Sequence, residues 1–215
     1  MKKLGLLFLF LLLVNNANAQ SNIEAINFIE SYKSKYQATG AYKVIVNQTI
    51  VNESVGINEE TQYSLTVDGD KYRFENSDTG IKLITNGKVS WSINDRDREI
   101  QVNDSVSEGI QALDPMYIYN EVEERYAGIF LAEGENLRLM LYPKRKYKEL
   151  NNIRLIVVDH NADDKSIKYW RIVYQDGTTF YLSVDKMDHF IQVNNQFFNV
   201  DHSDYPEYFY EDLRN

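Results

Sequence analysis

Residues 63–102 read YSLTVDGDKYRFENSDTGIKLITNGKVSWSINDRDREIQV. Apolar and polar residues alternate through most of this stretch, which is the period of a half-buried strand and not of a helix. Asp68-Gly69 and Asn86-Gly87 interrupt the alternation. Such dipeptides suit two-residue hairpin turns, because both central residues of a type I′ turn need positive φ. The pattern predicts five short antiparallel strands, at 61–67, 71–76, 80–85, 88–93 and 98–102. One face then carries Leu65, Val67, Tyr72, Phe74, Leu83, Val89, Trp91 and Ile93, or the neighbours one register away. A sheet with so apolar a face does not stand bare in water, so the rest of the chain must cover it.

Residues 22–37 have an amphipathic helical pattern, with Ile26, Ile29, Tyr32 and Tyr36 near the 3.6 period and Gly40 as a stop. Residues 41–51 form a long strand whose two faces differ little. Asp114-Pro115 is a helix start, with Asp as N-cap and Pro in the first helical position. That helix is expected to run to about Gly128, after one or two helical turns over 105–113. Its face is unusually greasy: Met116, Tyr117, Ile118, Tyr119, Val122 and Tyr126. Such a face either packs permanently on the sheet or acts as a lid over a hydrophobic cavity. Strands return from Leu137, at 153–159, 166–174, 178–185 and 196–200, with Asp176-Gly177 as a third hairpin signal. Lys144 to Lys148, KRKYK, is a basic run that reads as a solvated loop or as a contact for an acidic partner or phospholipid headgroups. Strands at steady spacing with turn signals suggest a barrel or strongly curved sheet in one domain.

The N-terminus has the form of a secretory signal peptide. Lys2 and Lys3 precede an apolar run from Leu4 to Val14, and Ala17-Asn18-Ala19 fits the small-x-small cleavage pattern. The run falls short of the ~20 apolar residues that a spanning helix needs. Cleavage after Ala19 leaves a domain of residues 20–215. It removes two of the 23 basic residues and none of the 32 acidic ones, so the mature balance is 21 − 32 = −11. Such a chain is repelled by nucleic acid and by anionic surfaces taken as a whole. There is no cysteine, hence no disulfide and no thiol chemistry. The short basic start and the lack of cysteine point to a bacterial periplasm.

The residues that carry chemistry are sparse. His160, His189 and His202 have no second His or Cys at metal-ligand spacing, so they read as structural or solvated, and no metal or cofactor is expected. Asp95-Arg96-Asp97-Arg98-Glu99 lacks the Gly and distal Glu of a calcium loop and reads as a solvated turn. No GxSxG, HExxH or Gly-rich phosphate loop occurs. Paired carboxylates on distant strands leave no such signature, so an unrecognised hydrolase stays open; it predicts carboxylates or a His-centred dyad in the cavity. The other reading is physical. A barrel that does not fill its own interior holds an apolar ligand. Each acyl methylene gains about 0.8 kcal/mol on leaving water, so acylated molecules need a carrier to cross an aqueous compartment.

The run DGDKYRFENSDTGIKLITNGKVSWSINDRDREIQV resembles the hallmark of the periplasmic outer-membrane lipoprotein carriers, the LolA-like family, in a Bacteroidetes-type form. The matching residues are Tyr72-Arg73-Phe74, Asn86-Gly87-Lys88, Trp91 and Gln101-Val102, with Leu141-Tyr142-Pro143, Asp176-Gly177 and an aromatic ending at Phe197-Phe198, Tyr205-Pro206 and Asp212-Leu213-Arg214. Asp70 departs from the Pro-Gly that usually leads the strand, and Phe74 replaces a Trp. The resemblance implies a mainly β, α+β fold: a single-domain, incomplete, strongly curved antiparallel barrel of about eleven strands, closed by two or three helices. It implies a non-enzymatic carrier whose cavity, lined by the eight apolar residues named above, binds lipoprotein acyl chains. Its partners are then acylated lipoproteins as cargo, an inner-membrane lipoprotein-releasing ABC transporter and an outer-membrane acceptor, with the carrier a monomer. Arg73 is then the latch of a lid formed by Met116, Tyr117, Ile118, Tyr119 and Val122. A sensor of mislocalised lipid or lipoprotein on the same fold is the alternative.

Overall fold

The computed structural model describes residues 23–35, 40–104, 113–120, 122–133, 136–147 and 152–214. The signal peptide, Tyr36, most of the stretch expected to form turns over 105–113, and Lys148 lie outside these residues. The described strands are β1 (Tyr42–Asn52), β2 (Ile57–Asp68), β3 (Lys71–Asn76), β4 (Ile81–Thr85), β5 (Ser90–Asn94), β6 (Glu99–Asn103), β7 (Tyr126–Glu133), β8 (Asn136–Pro143), β9 (Ile153–Asn161), β10 (Ile167–Tyr174), β11 (Thr179–His189) and β12 (Phe209–Asp212). They form one sheet in the order β12-β6-β5-β4-β3-β2-β1-β11-β10-β9-β8-β7. Every pairing is antiparallel except β12 on β6, which is parallel. The two edges, β12 and β7, do not meet, so the barrel is incomplete, as expected.

The first two hairpin signals fall in turns, though neither turn is type I′. Asp68 pairs with Lys71, so Gly69 and Asp70 are the central residues. Gly69 alone of the two has positive φ (64°), the pattern of a type II′ turn. Thr85 pairs with Ser90, which makes the next loop four residues long. There the Asn86 side chain accepts from the backbone N–H groups of Lys88 and Val89, both at 3.0 Å. Gly87 (φ 86°) is favoured by its left-handed conformation; a Cβ there would also have to displace the exposed Asp70 carboxylate.

Helix α1 covers 23–35. It buries Ala25, Ile29 and Tyr32, with Phe28 packed beside them, while Ile26 stays 38% exposed. The apolar stripe is thus rotated away from Ile26. The expected helix after Asp114-Pro115 is described on either side of Glu121, over α2 (Tyr117–Asn120) and α3 (Val122–Arg125). It ends three residues before Gly128, because Tyr126–Glu133 pairs along its whole length with β8 as an edge strand. The strand expected at 196–200 is replaced by a 3₁₀ turn, Asn195–Phe198, which Asn194 caps through Phe197 N–H. Here the local Asn-to-backbone bond outcompetes the ladder.

Two apolar cores lie on opposite faces of the sheet. The inner face, which α1 and residues 113–126 cover, carries Tyr42, Val44 and Val46 of β1, Tyr63, Leu65 and Val67 of β2, Tyr72 and Phe74 of β3, and Leu139, Leu141, Ile156, Val158, Ile167, Trp170 and Leu182 from the far half. The second core consists of Ile84, Trp91, Ile93, Ile100 and Val102, with Val89, Val200, Tyr205 and Tyr208 against it. Register settles which face these occupy. Phe74 pairs with Leu83, and Ile84 with Trp91, so Trp91 and Leu83 point to opposite sides. The C-terminal segment covers this outer face.

Candidate functional site

The residues expected to line one cavity are therefore divided. Leu65, Val67, Tyr72, Phe74 and Leu83 share the inner face. Val89, Trp91 and Ile93 belong to the outer core, a correction to their placement. Beyond β4 the inner face becomes polar: Ser90, Ser92 and Asn94 pair with Asn103, Gln101 and Glu99. The apolar part of the inner face thus runs from β4 through β3, β2 and β1 to β8.

That surface is not empty. α1 and residues 113–126 lie on it: Met116, Tyr119 and Val122 are buried, and Leu113, Ile118 and Tyr126 pack against the same core, while Tyr117 is half-exposed. The 113–126 segment is fastened at two places, its start and Tyr119. At its start, Tyr42 O–H donates to Asp114 Oδ1 at 2.6 Å, and Met116 N–H donates to the same oxygen at 2.9 Å. Tyr63 O–H donates to the Leu113 carbonyl at 3.2 Å. Asp114 thus closes the turn that leads into α2, which begins at Tyr117 and not at Pro115 as expected, and ties that turn to β1. Desolvation raises its carboxyl to about 6, against the opposing pull of the bonds from Tyr42, Met116 and Tyr117. Burial, then the nearby Asp114, pushes the Tyr42 phenol well up.

At the second fastening, Tyr119 O–H lies 2.6 Å from His160 Nε2, and His160 Nδ1 lies 3.3 Å from the Leu137 carbonyl. A carbonyl only accepts, so Nδ1 carries the proton and Nε2 accepts from the tyrosine. Burial lowers the His160 pKa to about 4, although the Leu137 carbonyl and Asp159 favour its charged form. Phe28 meets the imidazole edge-on at 4.9 Å between centroids, and Tyr32 at 5.5 Å, so α1 is locked over the same pair. His160 is fully buried and both ring nitrogens are engaged, which is a structural role. Among the described residues no group of three or more His, Cys, Asp or Glu is placed to hold a metal. Trp170 Nε1, buried on this face, has no hydrogen-bond partner among them.

Arg73 does not latch this cover. It alternates with Tyr72 and Phe74, so it projects from the outer face. Its Nε and Nη2 donate to Glu75 Oε1 at 3.0 and 2.9 Å, its Nη1 donates to the Phe197 carbonyl at 3.0 Å, and its guanidinium lies 4.8 Å from the Phe197 ring centroid. It holds the C-terminal strap. Arg73→Leu is expected to cost about 1–3 kcal/mol, as for charge-assisted bonds. Amides 195–199 should then exchange faster in deuterium exchange, with those of 114–125 unchanged; the reverse pattern would restore the latch. The sequence reading missed the true fastenings, Tyr42, Tyr63 and His160. A buried His between tyrosines leaves no spacing signature, but Asp114 was visible.

No family model matches the chain, and no curated protein matches it by sequence. Solved structures do resemble it. An uncharacterized conserved protein from Thermus thermophilus aligns with a TM-score of 0.53 and 11% identity, over 89% of this chain and 98% of that one. A DUF1329 family protein from Desulfovibrio piger aligns at 0.52 and 9%, over 86% and 99%. A LolA superfamily protein from Nitrosomonas europaea aligns at 0.45 and 10%, over 83% and 98%. The first two likenesses are of fold alone. The open antiparallel sheet of this chain, with helices on its inner face, is the architecture expected from its sequence.

Proposed function

We propose that the chain is a periplasmic, non-enzymatic carrier that takes lipoprotein acyl chains under its helical cover and moves lipoproteins from the inner to the outer membrane. One observation carries this reading. The apolar inner face is covered by α1 and by the helical segment that includes α2 and α3, not by a second sheet, and polar contacts from Tyr42, Tyr63 and His160 tie that segment to the sheet. A helical cover keeps its backbone hydrogen bonds within itself and lifts from the sheet without breaking a ladder, so the face can exchange its own side chains for acyl chains. Displacing Met116, Tyr119 and Val122 exposes a surface whose burial an acyl chain then restores. The resemblance at Tyr72-Arg73-Phe74 and Asn86-Gly87-Lys88, and the signal-peptide pattern, support the compartment and the cargo. An inner-membrane lipoprotein-releasing transporter would load such a carrier and an outer-membrane acceptor would unload it. Native mass spectrometry of protein drawn gently from the periplasm tests this: a co-purifying acylated lipoprotein is expected. Protein recovered only in its unliganded mass, with no uptake of added lipoprotein, would remove the carrier role.

A further inference from the structure

The basic run sits at the far end of the cover. β8 ends at Pro143, which pairs with Tyr126, the residue after α3. Lys144, Arg145 and Lys146 are exposed, on a helical turn over 145–147. Contacts among the described residues join this turn to α3. Lys144 N–H donates to the Arg125 carbonyl at 2.9 Å. Tyr147 O–H donates to Glu124 Oε1 at 2.6 Å. The Arg125 guanidinium lies 5.6 Å, and Lys146 Nζ 5.5 Å, from the Tyr147 ring centroid. Tyr142, two residues before Lys144, is 40% exposed. α3 also carries Val122, which is buried in the inner core. The turn is therefore the place where the surface charge of the molecule is mechanically joined to the cover.

We infer that the turn at residues 144–147 docks on an anionic phospholipid surface, and that the surface competes with α3 for the turn and thereby loosens residues 113–125. The loosening rests on the carrier reading; the docking does not. Charge decides the partner. The chain carries a formal charge of −9, so diffuse attraction to an anionic membrane is excluded and binding must be local. Three adjacent cations flanked by two tyrosines match a headgroup layer, where cations meet phosphates and tyrosine rings sit at the interface. An acidic protein would satisfy the cations but gives the exposed Tyr142 ring no apolar layer to enter. Once lipid phosphates engage the cations, the negative surface repels Glu124 and draws Arg125, the two α3 residues that hold Tyr147. Both contacts of α3 with that ring are thus disturbed at the moment of docking.

The test uses purified protein with vesicles of phosphatidylcholine alone and vesicles one-third phosphatidylglycerol. Binding to the anionic vesicles only, falling as salt rises, is expected. Lys144→Gln/Arg145→Gln/Lys146→Gln should lower the partition coefficient on the order of a hundredfold, at about 1 kcal/mol per cation near the surface. Thermal unfolding of the variant identifies any folding defect, and Tyr142→Ser, which keeps all charges, gives a second and independent loss. Equal partition of wild type and both variants overturns the docking. Equally tight binding to polyglutamate assigns the turn to an acidic protein and also overturns it. Deuterium exchange of residues 113–125 should speed up on anionic vesicles; an unchanged rate overturns the coupling. A fluorescent acyl probe separates this from the carrier reading: probe binding with no vesicle binding sinks only the inference, and vesicle binding with no probe uptake sinks only the carrier.

Discussion

Trp91→Ala is expected to destabilise the protein by about 3–5 kcal/mol, the usual loss for a buried tryptophan. Trp91 lies at the centre of the outer core, between Ile84 and Val102, its cross-strand neighbours. Val200, Tyr205 and Tyr208 depend on that core for their burial. Truncation should therefore release the strap first, so that amides 200–212 lose protection before those of β1 and β2. Denaturant unfolding measures the total, and deuterium exchange gives the order. Because Trp91 faces away from α1, acyl-probe affinity of the folded fraction should stay near wild type. A variant that loses acyl binding while keeping its strap protected would return Trp91 to the inner cavity.

The second large effect is hidden in the wild type and appears in a variant. His160 is held neutral, with a folded pKa of about 4 against an ordinary value of 6.5. The unfolded chain takes up that proton first, so His160 contributes stability above pH 6.5 that is lost as pH falls towards 4. Asp114 has the opposite sign. Its folded pKa of about 6 lies above the ordinary 3.8, so the folded chain binds the proton more tightly. Its contribution is fully present below pH 3.8 and is lost as pH rises through 6. Each amounts to about 3 kcal/mol. Across pH 4 to 6 the two slopes nearly cancel, and wild-type stability should stay level as far as these groups decide it. Asp114→Asn keeps an acceptor for Tyr42 O–H and Met116 N–H but does not titrate. Its stability should fall by about 3 kcal/mol between pH 6.5 and 4. Urea midpoints measured at several pH values give the comparison; a variant curve that stays level between pH 6.5 and 4 would show that His160 is not held neutral, and one parallel to the wild-type curve would show that Asp114 does not supply the opposing slope.

The strands from β2 to β6 were legible because alternation, Gly69 and Gly87 mark them directly. The face of each was less so, although the information was present. In an antiparallel hairpin whose loop has an even number of residues, an odd-numbered residue pairs with an even-numbered one. Leu83 must then oppose Ser92, and Ile84 must oppose Trp91, as the structure has it. That parity moves the apolar side of the sheet to its other face at β4, and so requires a second cover. The aromatic run from Tyr205 to Tyr210 was the available candidate. The same parity places Arg73 opposite Thr66, outside the inner face. What periodicity could not give is tertiary. That Tyr126–Glu133 joins β8 instead of extending α3 depends on a partner strand, and the union of Tyr119 with His160 depends on closing 41 residues of chain. The partners of the inner-face helices follow from the fold, not from any local run.

The strap has a kinetic cost. Its contacts join residues far apart in the chain, 124 positions for Arg73 and Phe197, 113 for Asn86 and Asn199, and 109 for Arg98 and Glu207. Synthesis at about 5–20 residues per second leaves the Ile84–Trp91–Val102 surface bare for roughly 5–20 s before its cover exists. During that interval a nascent chain shows a sticky, half-finished sheet with an unpaired border at β6. Cells producing this protein need something to shield that border, and molecules interrupted before residue 200 would be the ones that clump.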